Sequence, residues 1–167
     1  MSYDLIYVEP TDKDISYYRE LIKKQGNDVC QDKLEISVIK NAAMNFTFGF
    51  LHTTTKAQIG RRKLNINDKY YLNGFIFCTY CPKIPDELYI ELICSRKEKK
   101  LGKLLMKTCE EHVQRLYEPK IKKFTLNCLA NTKLRAWYES IGFEYIREYP
   151  LPCKGAPKLF FMVKFLE

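Results

Sequence analysis

Between Glu87 and Leu129 the hydrophobic pattern changes period twice, and this constrains the fold more than any other feature of the chain. Leu88 to Cys94 is a short apolar run of strand type. Leu101, Leu104, Leu105, Thr108, His112, Val113 and Leu116 then trace one side of a helix of about four turns at 3.6 residues per turn. Pro119 stops that helix, and FTLNCL, Phe124 to Leu129, is a strand again. Two strands joined through a helix lie parallel, because the helix carries the chain back to the starting edge. Phe143 to Tyr149 and Leu159 to Phe165 read as two closing strands, joined by a turn with Pro150, Pro152, Gly155 and Pro157.

Upstream, Leu5 to Val8 reads as a strand closed by Pro10. Ile15, Tyr18, Leu21 and Ile22 recur at helical spacing, with Thr11 as cap and Gly26 as stop, and a weaker helical pattern runs through Leu34, Val38 and Ile39. Phe46, Phe48 and Phe50 share one face of a strand, and Tyr70 to Tyr80 is a longer one. Thr53 to Asp68, with Lys56, Arg61, Arg62 and Lys63, reads as an exposed basic loop. The order is strand, two helices, three strands, helix, strand, helix, two strands. It predicts an α/β fold: one mixed sheet of about seven strands flanked by about four helices, parallel at the crossover and antiparallel elsewhere. A length of 167 residues fits a single domain, 1–167.

Charge narrows the partners. Lys and Arg number 28 against 20 Asp and Glu, a net +8 that favours an anionic partner: nucleic acid, membrane headgroups or a phosphate-bearing cofactor. The 21 lysines against seven arginines weigh against a protein that reads base edges. Uncharged stretches such as 41–55 fall short of a membrane span, and the acidic start lacks the form of a signal peptide, so a cytoplasmic protein without a membrane partner is expected. Seven cysteines, at 30, 78, 81, 94, 109, 128 and 153, are odd in number and irregularly spaced, and read as reduced, buried thiols. Cys78 and Cys81 form a CxxC with no second pair to complete a zinc site, and no metal is expected.

Chemistry concentrates in two stretches. In ELYIELICSRKEKKLGKLLMKTCEEHV a strand passes through a basic loop into a helix, whose unpaired amides and positive dipole end attract an anion. Lys97, Lys99, Lys100 and Lys103 surround that point, a charge suited to a pyrophosphate. Neither GxxxxGK[ST] nor three spaced glycines are present, which excludes a nucleotide P-loop and a dinucleotide fingerprint. In LNCLANTKLRAWYESIGFEYI, Asn131, Tyr138, Gly142 and Phe143 follow the pattern N-x(6)-Y-x(3)-G-F.

Together the two stretches resemble the GNAT superfamily of N-acetyltransferases. Its members have an R/Q-x-x-G-x-G/A loop between strand and helix, read here as K-E-K-K-L-G from Lys97 to Gly102, and the later Asn, Tyr and Gly-Phe segment. Lys97 replaces Arg or Gln, and Lys100 replaces the first glycine. The resemblance implies an acetyl-CoA-dependent transferase that acetylates a primary amine by direct attack in a ternary complex. It assigns the pantetheine arm to the backbone of Leu92, Ile93 and Cys94, and the phosphates to Lys97, Lys99, Lys100, Leu101, Gly102, Lys103 and Leu104. Asn131 is a cofactor contact or a helix cap. Tyr138 is the acid that protonates the departing sulfur, and Glu91 and Glu87 are candidate bases. A monomer or homodimer is expected. Two alternatives stay open: an acyl group longer than acetyl, and a non-catalytic module of this fold whose basic surface binds nucleic acid or a protein.

Overall fold

The computed structural model describes residues 4–30, 34–55, 68–97, 100–116, 120–149, 155 and 158–167. In chain order they form β1 (Asp4–Val8), α1 (Ile15–Val29), α2 (Ile36–Asn45), β2 (Phe48–Thr55), β3 (Tyr70–Tyr80), β4 (Glu87–Ser95), α3 (Gly102–Leu116), β5 (Lys123–Leu129), α4 (Thr132–Ser140), β6 (Glu144–Tyr149) and β7 (Leu159–Phe165). The strands make one sheet in the order β1-β2-β3-β4-β5-β7-β6. β4 and β5, the strands on either side of α3, pair parallel; β1 with β2, β2 with β3, β5 with β7 and β6 with β7 pair antiparallel. This is the mixed seven-stranded α/β sheet that the periodicity implies. The contacts gather into two compact units, Met1–Thr79 with Leu92–Cys109, and Tyr80–Glu91 with Glu110–Glu167.

In the first unit α1 and α2 lay Leu21, Ile22, Val29, Ile39, Ala42 and Ala43 against Leu51, Leu72, Phe75 and Phe77 of β2 and β3. Gly26 does not stop α1, which runs on to Val29. A Cβ on Gly26 would lie 3.0 Å from Ile39 Cγ2, so the glycine permits the close approach of α2. Nor is Thr53 the start of a loop: Thr53 and Thr54 are buried within β2, and residues 56–67 lie outside the described ones. The β2–β3 register steps from His52↔Gly74 to Thr53↔Leu72, which makes Asn73 the extra residue of a bulge. On the other face of β3, Cys78 Sγ lies 3.5 Å from Cys109 Sγ of α3. The buried stripe of α3 is Leu105, Met106, Cys109 and Val113, whereas Leu104 and Leu116 of the sequence pattern are exposed. The expected Pro119 stop lies outside the described residues.

The second unit covers its β5, β7 and β6 strands from one side. Arg135 of α4 stacks over Tyr145 at 4.0 Å and reaches Phe160 at 5.9 Å, Cys128 meets Met162, and Lys164 pairs with Glu110 of α3. Side chains alternate along a strand, so Phe161 points the opposite way, where it meets Tyr149 and Arg147.

Candidate functional site

The geometry begins with a pairing that stops. β4 and β5 are in register from Glu87↔Lys123 to Ile90↔Leu126. β4 continues past that pair through Leu92, Ile93 and Cys94 to Ser95, and β5 continues to Leu129. Leu92 and Ile93 are half-buried and Cys94 is buried.

Cys94 is also one half of a disulfide. It is bonded to Cys30, the residue that ends α1, across 64 residues of sequence and with the two Cα atoms 4.8 Å apart. The expectation of reduced thiols therefore fails for this pair, and holds for Cys78, Cys109 and Cys128, which are buried and outside any disulfide. An odd cysteine count and a wide separation hid the bridge.

Arg96 follows at once, a residue the sequence reading passed over. Its backbone N–H donates to Asn73 O at 2.9 Å, its Nε donates to Leu72 O at 2.8 Å, and its guanidinium lies 4.2 Å from the centre of the Tyr71 ring. A buried arginine satisfied by the carbonyls of a strand bulge fixes where the chain leaves β4. It stands at the head of a lysine run, where its different task is invisible to composition.

Beyond it the loop turns into α3. Lys97 and Lys100 are exposed, and Lys99 lies outside the described residues. Lys100 adopts a left-handed backbone, φ 49°, at the position where the resembling loop carries glycine. Outside glycine that conformation costs about 1 kcal/mol. Leu105 N–H donates to Leu101 O at 2.9 Å as the first turn closes, Gly102 is buried, and Lys103 and Leu104 are exposed. The first turn of α3 holds no acidic residue, and cations at a helix N-terminus are unfavourable unless an anion answers them.

The second stretch is helix grammar in detail. Asn131 caps α4, its Oδ1 accepting from Lys133 N–H at 2.9 Å and Leu134 N–H at 3.3 Å. At the other end Gly142 has φ 97°, Gly142 N–H donates to Glu139 O, and Phe143 N–H donates to Tyr138 O, both at 3.1 Å. This is a Schellman closure, and the ring of Phe143 packs on that of Tyr138 with centroids 5.6 Å apart. The spacing N-x(6)-Y-x(3)-G-F is thus that of a nine-residue helix with both ends capped. Any apolar residue could make the packing contact, so the hydroxyl of Tyr138 is the part of the motif that helix structure leaves unexplained. Tyr138 is 7% exposed, with Trp137 edge-on at 4.9 Å.

The two candidate bases differ. Glu87 accepts from Thr125 Oγ1 at 2.8 Å and pairs with Lys123 Nζ at 3.5 Å, so both carboxylate oxygens are engaged. Glu91 is half-buried, and its charge acts on Tyr89, the residue between the two carboxylates on the same side of β4. Burial raises the phenol pKa of Tyr89 above its ordinary value; Glu91 adds to that and a hydrogen bond from Asn127 offsets part of it. Asn127 Nδ2 donates to Tyr89 Oη at 3.3 Å. Neither Tyr89 nor Asn127 was foreseen, since only strand register brings them together.

Among the described residues no group of three His, Cys, Asp or Glu side chains could hold a metal ion, and no helix is long and apolar enough to cross a membrane. The basic segment Lys56, Arg61, Arg62 and Lys63, which motivated a nucleic-acid alternative, lies outside the described residues.

No family model and no curated sequence matches the chain. Solved structures do. The ribosomal-protein-S18-alanine N-acetyltransferase of Escherichia coli aligns with a TM-score of 0.59 and 17% identity over 98% of this chain and 94% of its own. The NatC complex bound to Gag peptide and CoA aligns with a TM-score of 0.62 and 13% identity, covering both chains fully. NAA60 of Arabidopsis thaliana in complex with acetyl-CoA gives 0.62 and 13% over 99% of this chain and 100% of its own. The chain has the GNAT fold.

Proposed function

We propose that this chain is an acetyl-CoA-dependent N-acetyltransferase that transfers an acetyl group to a primary amine by direct attack in a ternary complex. The left-handed backbone of Lys100 carries the reading. A lysine at positive φ is uncommon and carries about 1 kcal/mol of strain, and a loop that aims successive amides at an anion is a setting that offsets it. The acetyl-CoA and CoA in the solved structures of NAA60 and NatC support the same donor here.

The donor would supply a thioester open to attack by an amine. Leu92, Ile93 and Cys94 offer strand backbone beyond the last β4–β5 pair to an extended amide chain, as an added strand would use it. Leu101, Gly102, Lys103 and Leu104 present helix-start amides to phosphate, and Lys97, Lys99, Lys100 and Lys103 add charge. Asn131 acts first as the cap of the helix that carries Tyr138, and holds that residue in place. Tyr138 holds a proton for the departing sulfur, a task for which a phenol is suited because it is a weak acid that can deliver to a thiolate. Of the two carboxylates, Glu91 is taken as the acceptor of the amine proton, because it directly precedes the backbone of Leu92, Ile93 and Cys94 assigned to the donor, whereas Glu87 stands at the start of β4.

Isothermal titration tests the reading directly. Acetyl-CoA should bind in the micromolar range, and no heat of binding at millimolar acetyl-CoA would overturn it.

A further inference from the structure

One cluster in the second unit is left over by this reading. It crosses the sheet on the face opposite α4: Glu91 and Tyr89 on β4, Asn127 on β5, Phe161 on β7, and Arg147 and Tyr149 on β6. Register places it, with Asn127↔Phe161 and Arg147↔Phe161 as cross-strand partners. Tyr149 meets Phe161 edge-on with centroids 5.9 Å apart, Arg147 lies over Tyr149 at 4.9 Å and Phe161 at 5.7 Å, and Arg147 Nη2 donates to Tyr149 Oη at 3.2 Å.

We propose that this face is the acceptor subsite and that it takes the amino terminus of a peptide, with Glu91 on the α-ammonium and the Tyr89 hydroxyl donating to the adjacent carbonyl oxygen. The inference rests on the N-acetyltransferase reading and names its substrate class.

The hydroxyl of Tyr89 decides which acceptor fits. It accepts from Asn127 Nδ2, so its own proton is directed elsewhere. Burial and the neighbouring Glu91 keep the phenol protonated, which makes Tyr89 a donor at neutral pH and not a base. A carboxylate and a phenol donor two residues apart on one side of a strand are roughly 6.6 Å apart at the backbone. An α-nitrogen and its own carbonyl oxygen lie about 3 Å apart by standard bond lengths, close enough to be engaged together by a carboxylate and a donor on neighbouring same-side positions. A polyamine has no oxygen at that place and would leave the donor unanswered.

Two further features favour a peptide over a free amino acid or a polyamine. From β4 through β5 and β7 to β6 is three strand spacings, about 14 Å, the reach of about four extended residues. A single amino acid cannot span it. Arg147 sets a fixed cation over the aromatic end, which repels the second charge of a polyamine and leaves ring surface for an apolar side chain.

The test compares acceptors with acetyl-CoA, measuring CoA thiol release. The acceptors are a peptide library degenerate at its first four positions with free amino termini, the same library N-acetylated, glycine amide, spermidine and glucosamine. The free library should turn over at least tenfold better, as kcat/KM, than glycine amide, spermidine or glucosamine, and the blocked library should be inert. Tyr89→Phe should raise the peptide KM about tenfold and shrink the preference over spermidine by a similar factor. Glu91→Gln should raise the peptide KM and, because Glu91 also accepts the amine proton, lower kcat. Faster turnover of spermidine or glucosamine, or an unchanged peptide KM in Tyr89→Phe, would overturn the subsite while leaving the transferase intact. Should acetyl-CoA not bind at all, saturation-transfer NMR with the library alone still decides. Binding that disappears on N-acetylation and in Tyr89→Phe supports the subsite without the transferase, and no binding overturns it.

Discussion

The run from Cys94 to Leu104 and the face from Tyr89 to Arg147 recognise by different means. The first works through backbone: strand amides past the last β4–β5 pair, a bulge that anchors Arg96, a left-handed residue and a helix start. The second works through side chains that meet only because their strands pair in one register. A backbone site tolerates substitution as long as the path is kept, which is how lysine can stand where the resembling loop has glycine. A side-chain site has no such latitude, since losing the Tyr89 hydroxyl removes the donor itself.

The disulfide gives the most forceful way to break the first region without touching the second. Cys30 and Cys94 close a loop of 64 residues' separation, and loop-closure entropy assigns such a bridge about 4 kcal/mol. Reduction with a dithiol, or Cys30→Ser, should lower the thermal midpoint by roughly 10 °C and weaken acetyl-CoA binding. Equal midpoints with and without reductant, together with alkylation of all seven thiols in the denatured, unreduced protein, would show that no bridge forms.

Tyr138→Phe is the next largest effect. The phenylalanine ring keeps the contacts with Trp137 and Phe143, so the fold should hold within about 1 kcal/mol. Turnover should fall about a hundredfold, the lower range for losing a positioned acid, while acetyl-CoA affinity stays within about twofold. A full rate across the pH range would remove Tyr138 from the chemistry and leave it as the packing residue of a capped helix.

What the sequence made legible divides along the same line. The crossover of β4, α3 and β5 and the capped α4 are local in sequence, written in period, cap and turn residues, and could be read directly. Cys30–Cys94, Arg96 with Leu72 and Asn73, and Tyr89 with Asn127 are contacts across 64, 24, 23 and 38 positions, and no local pattern carries them. Gly26 shows the converse: a residue that locally signals a helix end serves a tertiary contact with Ile39.

Lys100 sharpens the comparison most finely, because one residue carries both a backbone conformation and a charge. Lys100→Gly keeps the left-handed path and removes the charge; relief of about 1 kcal/mol of strain is nearly cancelled by glycine's greater freedom when unfolded, so stability should move by about 0.5 kcal/mol or less. Lys100→Val removes the charge and also resists the path, since a branched Cβ is poorly tolerated at positive φ. If backbone amides hold the donor, acetyl-CoA affinity should fall only about twofold in the glycine variant, the effect of one exposed charge, and about tenfold in the valine variant. Equal losses in the two would mean that the lysine side chain, and not the turn it makes, holds the phosphates. The first region would then recognise its ligand by side chain, as the second does.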